Sequence, residues 1–306
     1  MTPSVPRLAA VVLVSAVAGA VNAIAGGGTL LTFPALVGLG VPPVIANATS
    51  TVALWPGSLS SMWGYRGELS GARAWAARFA LPSVAGGLAG ALLLLVTPET
   101  TFSAVVPWLV LGATVLFMVQ GAVMRALRDR AARDGARDAA RGAAPRDARP
   151  PRASEERPPL AALLLQFFVA IYGGYFGAGI GILMLATLGF SGLTNIHRMN
   201  GLKNWGALCI NAVAAVTFVV EGLVNWPVAL AMAAGATAGG YGGSRLAQRV
   251  RPERVRQAIV AIGLGSALWL AVERYAGERE RGAAGATDRR ALMWPSGAPR
   301  AASGRA

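Results

Sequence analysis

The chain of 306 residues is 54% hydrophobic and only 14% charged, and it carries a net charge of +14. A soluble domain has about a quarter of its residues charged, so this chain has too little charge to cover a soluble globule. Its single cysteine, Cys209, and single histidine, His197, exclude a disulfide framework and a metal site built from several such residues. We therefore expect a membrane protein with no metal and no cofactor.

The positive charge lies almost wholly outside the apolar segments. A basic chain can bind nucleic acid, but an excess of arginine between apolar segments is also typical of the cytoplasmic loops of membrane proteins. Because the arginines follow the segment ends, we prefer the second interpretation. We predict the lipid bilayer as a partner and no nucleic acid.

The first half of the chain contains five apolar segments, at 8–25, 29–40, 44–63, 75–96 and 102–123. A spanning helix needs about 20 mostly apolar residues, and the last two segments satisfy this requirement. The segment 29–40 is too short to span, and three glycines separate it from the first segment. The first 23 residues have features of a signal peptide. The equivalent segment of the second half cannot be one, so we expect a retained helix.

An arginine-rich stretch separates the two halves. Residues 125–159 contain ten arginines and six acids without apolar periodicity, which predicts a solvated, partly disordered cytoplasmic linker. Five further apolar segments follow, at 160–176, 179–190, 199–220, 226–244 and 255–272. The predicted organisation is a first transmembrane repeat at 1–124, the linker at 125–159, a second transmembrane repeat at 160–275 and a disordered tail at 276–306.

The two halves resemble each other at a nearly constant offset of 151 to 155 residues. The sequence GGLAGA at 86–91 matches GGYGGS at 239–244, and ANATST at 46–51 aligns with MNGLKN at 199–204. The loop at 65–78 holds three arginines and its partner none, whereas the loop at 245–256 holds five and its partner at 97–101 none. The positive-inside rule then places corresponding loops on opposite sides of the membrane. We predict an all-α, polytopic transmembrane helix bundle of two homologous halves, an inverted repeat with glycine-broken helices.

The glycine-rich breaks occupy corresponding positions in the two halves, and a polar cluster follows each one. In transporters with inverted repeats, the site lies where discontinuous helices meet near the middle of the membrane. The N-terminus of a helix after a break presents free N–H groups and a favourable dipole to an anion. The candidate substrate-binding residues are Gly26, Gly27, Gly28, Thr29, Asn47, Thr49, Ser50, Gly177, Gly179, Gly181, Asn200, Lys203 and Asn204.

Lys203 is a cation inside an apolar segment. A charge at such a position is costly and usually marks a substrate pathway or a partner. The alternative is that the side chain extends to the membrane interface beside His197 and Arg198. No Asp or Glu lies in the core of an apolar segment, so a site with a cation, amides, hydroxyls and helix N-termini suits an anion.

The sequence GAVNAIAGGGTLLTFPALVGLGVPPVIANATST, which begins at Gly19, resembles the first-half motif of the TauE/SafE (sulfite exporter) family. The sequence GGYFGAGIGILMLATLGFSGLTNIHRMNGLKN, which begins at Gly173, is similar to the second-half motif. The second half departs from the symmetric pattern, because it has no solid glycine run and no proline matching Pro34. The resemblance implies an integral inner-membrane transporter of two related halves, in a family associated with sulfite and organosulfur anions.

The predicted function is a secondary transporter in the bacterial plasma (inner) membrane that moves a small anion, sulfite or an organosulfur anion. An anion channel is the close alternative, and a non-transporting membrane scaffold is a further one. We predict no enzyme, because the sequence has no HExxH motif, no paired carboxylates and no Ser/His/Asp set. The oligomeric state stays open.

Overall fold

The computed structural model describes residues 5–24, 27–64, 72–140, 158–193, 195–246 and 257–273. These residues form ten α-helices and no strand, which confirms the all-α prediction. The helices are α1 Val5–Ile24, α2 Thr29–Gly38, α3 Pro43–Gly64, α4 Arg73–Val96, α5 Glu99–Ala140, α6 Leu160–Tyr175, α7 Ile180–Phe190, α8 Ile196–Val220, α9 Trp226–Leu246 and α10 Gln257–Glu273.

Three stretches in the described residues are long and apolar enough to cross a membrane: Arg73–Val96, Glu99–Val123 and Arg198–Val220. In contrast, α2 and α7 have only 10 and 11 residues. At 1.5 Å per residue, such a helix is about 15 Å long, roughly half the hydrocarbon thickness of a bilayer. Neither short helix can span by itself, as the sequence predicted for the piece after the first break.

Each short helix follows a break whose backbone requires glycine. Gly27 has a φ of 126°, and Gly177 and Gly179 have φ values of 81° and 78°. A residue with a Cβ is disfavoured at such angles, whereas glycine adopts them readily. The predicted breaks are therefore present in both halves, although Gly26 lies outside the described residues.

The most extensive helix pairs each join a helix of the first half to a helix of the second half. Along the chain, α1 to α5 correspond to α6 to α10. Helix α1 packs mainly on α9, and α6 packs mainly on α4, which is the equivalent pairing. Likewise α3 packs on α9 and α8 on α4, while α3 and α8 pack on each other. Two homologous halves are confirmed, and their inverted orientation in the membrane stays a prediction.

Glycines allow this pairing, because they bring helix backbones into direct contact. A Cβ at Gly90 of α4 would overlap the carbonyl oxygen of Ile171 in α6. A Cβ at Gly239 of α9 would overlap the carbonyl oxygen of Ala16 in α1. Hydrophobic burial provides little drive for helix association in lipid, so interfaces depend on close packing of small residues. The glycine motifs that revealed the repeat thus form the interfaces between its halves.

The structure differs from the sequence prediction where the linker was expected to begin. Helix α5 does not end near residue 124 but continues to Ala140. The stretch after Arg125 is rich in alanine and arginine, which favour helices. It also places the exposed residues Arg125 and Asp129 four residues apart, a spacing that stabilises an exposed helix. The remainder of the linker, at 141–157, and the predicted tail at 276–306 lie outside the described residues.

Replacing a glycine at the helix interface should destabilise the bundle. Gly90→Ala places a methyl group against the backbone of Ile171, and overpacking of this kind costs about 1–3 kcal/mol. We expect a lower Tm for the purified protein in detergent. The matched control is Gly112→Ala, because a Cβ at Gly112 would have nothing within 4 Å. Equal Tm values for the two variants would contradict the close packing of α4 on α6.

Candidate functional site

The two helix breaks meet at one cavity of about 80 Å³. Residues from α1, α2, α3, α5, α7 and α8 and from both breaks surround it, so both halves contribute to its walls. The lining residues are Asn22, Gly27, Thr29, Thr51, Leu54, Ser58, Phe117, Phe176, Gly177, Gly179, Ile180, Gly181, Ile182, Lys203, Asn204, Ala207 and Asn211.

Seven of the predicted site residues line this cavity. They are Gly27, Thr29, Gly177, Gly179, Gly181, Lys203 and Asn204. Five others do not line it, namely Gly28, Asn47, Thr49, Ser50 and Asn200. Gly26, the remaining predicted residue, lies outside the described residues. The structure therefore brings together the glycines of both breaks and the cation, but it separates most of the first polar cluster from the cavity.

The buried residues of the first polar cluster connect α3 to neighbouring elements. The Asn47 amide nitrogen donates a hydrogen bond to the Tyr175 carbonyl oxygen, 3.0 Å away. The Thr49 hydroxyl accepts a bond from the Asn225 N–H at 3.1 Å. The Ser50 hydroxyl lies 2.6 Å from that of Thr32 in α2. These bonds hold α3 against both breaks and the start of α9, so these residues position the cavity from outside it.

At the first break, a side chain closes the gap in the backbone ladder. The side-chain oxygen of Asn22 accepts a hydrogen bond from the Gly27 N–H at 3.1 Å. The ring of Phe117 occupies the space where a Cβ of residue 27 would lie. Gly28 is buried against the Ala18 carbonyl oxygen, 2.8 Å from where its Cβ would be. Glycine is thus required here for packing as well as for conformation.

The second break exposes more hydrogen-bond donors. The Tyr172 hydroxyl donates to the Ala178 carbonyl oxygen at 2.7 Å and holds the break in place. The N–H groups of Phe176 and Gly177 both donate to the Tyr172 carbonyl oxygen. In the described part of the chain, the next four N–H groups, at 178–181, have no acceptor. The N-terminus of α7 therefore presents free donors at the cavity.

Lys203 lies in the eighth position of α8, and its stem passes over Gly181. The lysine Cδ is 3.3 Å from the point where a Cβ of residue 181 would lie. Among the described residues that line the cavity, Lys203 carries the only charge. Lys203 is also the single lysine among 28 lysines and arginines, so arginine supplies the other 27 cations. An ammonium is more compact than a guanidinium, and this compositional contrast marks the position in the sequence.

Sequence reasoning missed Asn22, Ser58, Phe117 and Phe176 as lining residues. Of these four residues, Ser58 could have been identified from the repeat, because corresponding positions of α3 and α8 line the cavity. Three lining pairs are each separated by 153 residues: Thr51 and Asn204, Leu54 and Ala207, and Ser58 and Asn211. At the same offset Lys203 corresponds to Ser50, which is bonded to Thr32 instead. Corresponding positions of the two halves therefore line the cavity, but the charged lining residue belongs to the second half.

A bundle of apolar helices with two broken helices around a polar cavity defines a class, the multi-pass membrane transporters. The sulfite exporter TauE/SafE family model matches residues 11–270, and the chain belongs to this family. It is therefore a transporter of a bacterial membrane, and its substrate is a small molecule.

Curated relatives agree with this assignment. The Probable membrane transporter protein ORF9 of Sinorhizobium sp is 27% identical over 259 residues, covering 83% of this chain and 88% of the relative. A Probable membrane transporter protein of Haemophilus influenzae is 27% identical over 267 residues, covering 85% and 92%. The Probable membrane transporter protein YfcA of Escherichia coli K12 is 26% identical over 257 residues, covering 81% and 84%. No solved structure matches the chain significantly.

Alanine variants of two nearby glycines should distinguish an effect on the backbone conformation of the site from an effect on ligand binding. Gly179→Ala forces a Cβ onto a φ of 78°, which costs about 1–2 kcal/mol, and should lower the Tm. Gly181→Ala has no such conflict, but its methyl group would press on the Lys203 stem at 3.3 Å. It should keep the Tm and raise the KM for transport. Thermal unfolding and vesicle uptake check both variants, and an unchanged KM in Gly181→Ala would separate Lys203 from the binding step.

Proposed function

We propose that this protein is a secondary carrier for a small anion, sulfite or an organosulfur anion. The observation that carries the proposal is the cavity between the two breaks. Among its described lining residues, Lys203 is the only charged group and no carboxylate is present. A partly buried cation with no acidic partner among the described lining residues favours an anionic ligand, because the ligand then supplies the missing charge.

The dipoles around the cavity also favour a negatively charged ligand. At the N-terminus of α7, residues 179–181 line the cavity with N–H groups that have no acceptor among the described residues, and the helix dipole adds a partial positive charge there. The amides of Asn204 and Asn211 line the cavity without a bond to any described residue. Donors and positive charge thus converge on one space, as expected of an anion site in a broken-helix transporter.

The size of the cavity supports a small substrate. Its volume of about 80 Å³ is several times the ~10–15 Å³ needed to hold one water molecule. That is room for a compact oxyanion. Both halves form the walls, so movement of one half against the other would change which side of the membrane the cavity faces. With the inside of the cell negative, the membrane potential favours exit of an anion without a coupled ion.

Neutralising Lys203 should remove most of the transport. In Lys203→Met the side chain keeps nearly its length but loses its charge. A hydrogen bond to a charged group is worth about 1.5–3 kcal/mol, so we expect kcat/KM for labelled sulfite to fall roughly 10–100-fold in lipid vesicles. Lys203→Arg retains the charge and should lose less.

The matched control is Arg78→Met, which neutralises an exposed cation of α4 and should leave flux unchanged. Wild-type flux should saturate with sulfite, and sulfur oxyanions should compete where chloride does not. Flux without saturation would indicate a channel. Unaltered flux in a folded Lys203→Met variant would remove Lys203 from the site, and no flux in the folded wild type would overturn sulfite as the substrate.

A further inference from the structure

We propose that the cavity binds an oxyanion in its singly charged, protonated form, an anion that carries one O–H group, such as the hydrogen sulfite monoanion. The proposal rests on the proposed transport of small anions and specifies the ionisation state that enters the site. The hydrogen-bond capacities of the two halves carry it, because they differ at corresponding positions of the cavity.

The wall from the first half presents hydrogen-bond acceptors. The Thr51 hydroxyl donates its proton to the Asn47 carbonyl oxygen at 2.9 Å. The Ser58 hydroxyl donates its proton to the Leu54 carbonyl oxygen at 3.3 Å. A hydroxyl has one proton and two lone pairs, so a hydroxyl bonded to its own helix offers only lone pairs to a ligand. Both hydroxyl residues line the cavity.

The wall from the second half adds N–H donors, because each amide carries two N–H groups beside its acceptor oxygen. At the positions 153 residues after Thr51 and Ser58 stand Asn204 and Asn211, and neither amide is bonded to a described residue. Lys203 adjoins the first of these and has three N–H donors and no acceptor. The same pair of positions thus carries proton-committed hydroxyls in one half and free amides in the other.

Asn22 adds a donor whose orientation is determined by its partner. Its side-chain oxygen accepts the Gly27 N–H, and a backbone N–H cannot accept a bond in return. The amide therefore cannot be flipped, and its NH₂ end is the part left for the cavity. The free N–H groups of Gly179 to Gly181 lie on the donor side as well.

A monoanion with one O–H group matches both walls. Its charged oxygens accept from Lys203 and the amides, and its O–H donates to Thr51 or Ser58. A fully ionised dianion would place an oxygen lone pair against the hydroxyl lone pairs, or each hydroxyl would have to give up the bond to its own helix. Lys203 supplies a single positive charge, so a dianion would also bring an unbalanced negative charge into the cavity.

The pH dependence of sulfite transport tests the proposal. Sulfite converts from monoanion to dianion near neutral pH. The ratio of monoanion to dianion falls tenfold for each unit by which the pH is raised. With equal pH on both sides of the vesicle, the KM in monoanion concentration should stay constant across neutral pH. The KM in dianion concentration should fall about tenfold for each pH unit toward acid. A constant dianion KM would overturn the proposal while leaving anion transport intact.

A titrating protein group must be distinguished from the titrating substrate. Lys203 of α8 is the only titratable group among the described lining residues, and the lining groups of α1, α2, α3, α5 and α7 do not titrate. Methanesulfonate is a monoanion across this range and has no O–H group. Its inhibition constant should be independent of pH. A loss of inhibition that parallels the sulfite curve would assign the pH effect to the protein and overturn the proposal.

The acceptor wall can be removed directly. In the wild type, hydrogen sulfite should bind at least about tenfold better than methanesulfonate, because only the former satisfies the hydroxyl lone pairs. In the double variant Thr51→Val and Ser58→Ala, the ratio should fall toward one. Thr217→Val is the matched control, since it removes a hydroxyl bonded to its own helix in α8 but outside the cavity. An unchanged ratio in the double variant would overturn the assignment, and absence of all sulfur-anion flux would overturn the transport proposal itself.

Discussion

A helix that breaks inside an apolar environment must still satisfy its backbone N–H and C=O groups, and the described structure depends on how this chain does so. Each unsatisfied group in hydrocarbon costs several kcal/mol, so irregular backbone is tolerated only within protein or beside a polar cavity. Side chains meet part of the requirement: Asn22 bonds Gly27 and Tyr172 bonds Ala178 within each break, and Asn47 of α3 bonds Tyr175. The N–H groups left over at the second break face the cavity.

Protein must therefore surround the breaks on every side, and the pairing of helices between the halves provides that enclosure. Helix α1 of the first half packs on α9 of the second, and α6 of the second packs on α4 of the first. Such contacts need backbones that approach closely, which is why Gly90 and Gly239 lie where any Cβ would overlap a carbonyl oxygen. The glycines at the breaks permit the bend, and the glycines at the interfaces close the protein around it.

Corresponding positions of the two halves line the cavity, and the residue types at those positions differ between the halves. Corresponding residues of α3 and α8 face the same space, yet one helix brings hydroxyls and the other brings amides and Lys203. Ser50, at the position equivalent to Lys203, bonds to Thr32 instead. The proposed anion would therefore meet a different set of hydrogen-bonding groups on each side of the cavity, with the cation on one side only.

The sequence by itself determined the all-α class, the two homologous halves, the positions of the breaks and the family, because hydropathy, glycine runs and a constant offset are properties of residue order. It also indicated Lys203, since a cation in an apolar segment is visible without a structure. It did not indicate that α5 continues beyond its apolar segment to Ala140, and it grouped Asn47, Thr49 and Ser50 at a cavity that only Thr51 of that run lines. Successive residues of a helix point about 100° apart, so adjacent polar residues reach different neighbours. Only the packing of the helices decided which of them face the cavity, and the same packing brought Phe117 to the first break from a distant part of the chain.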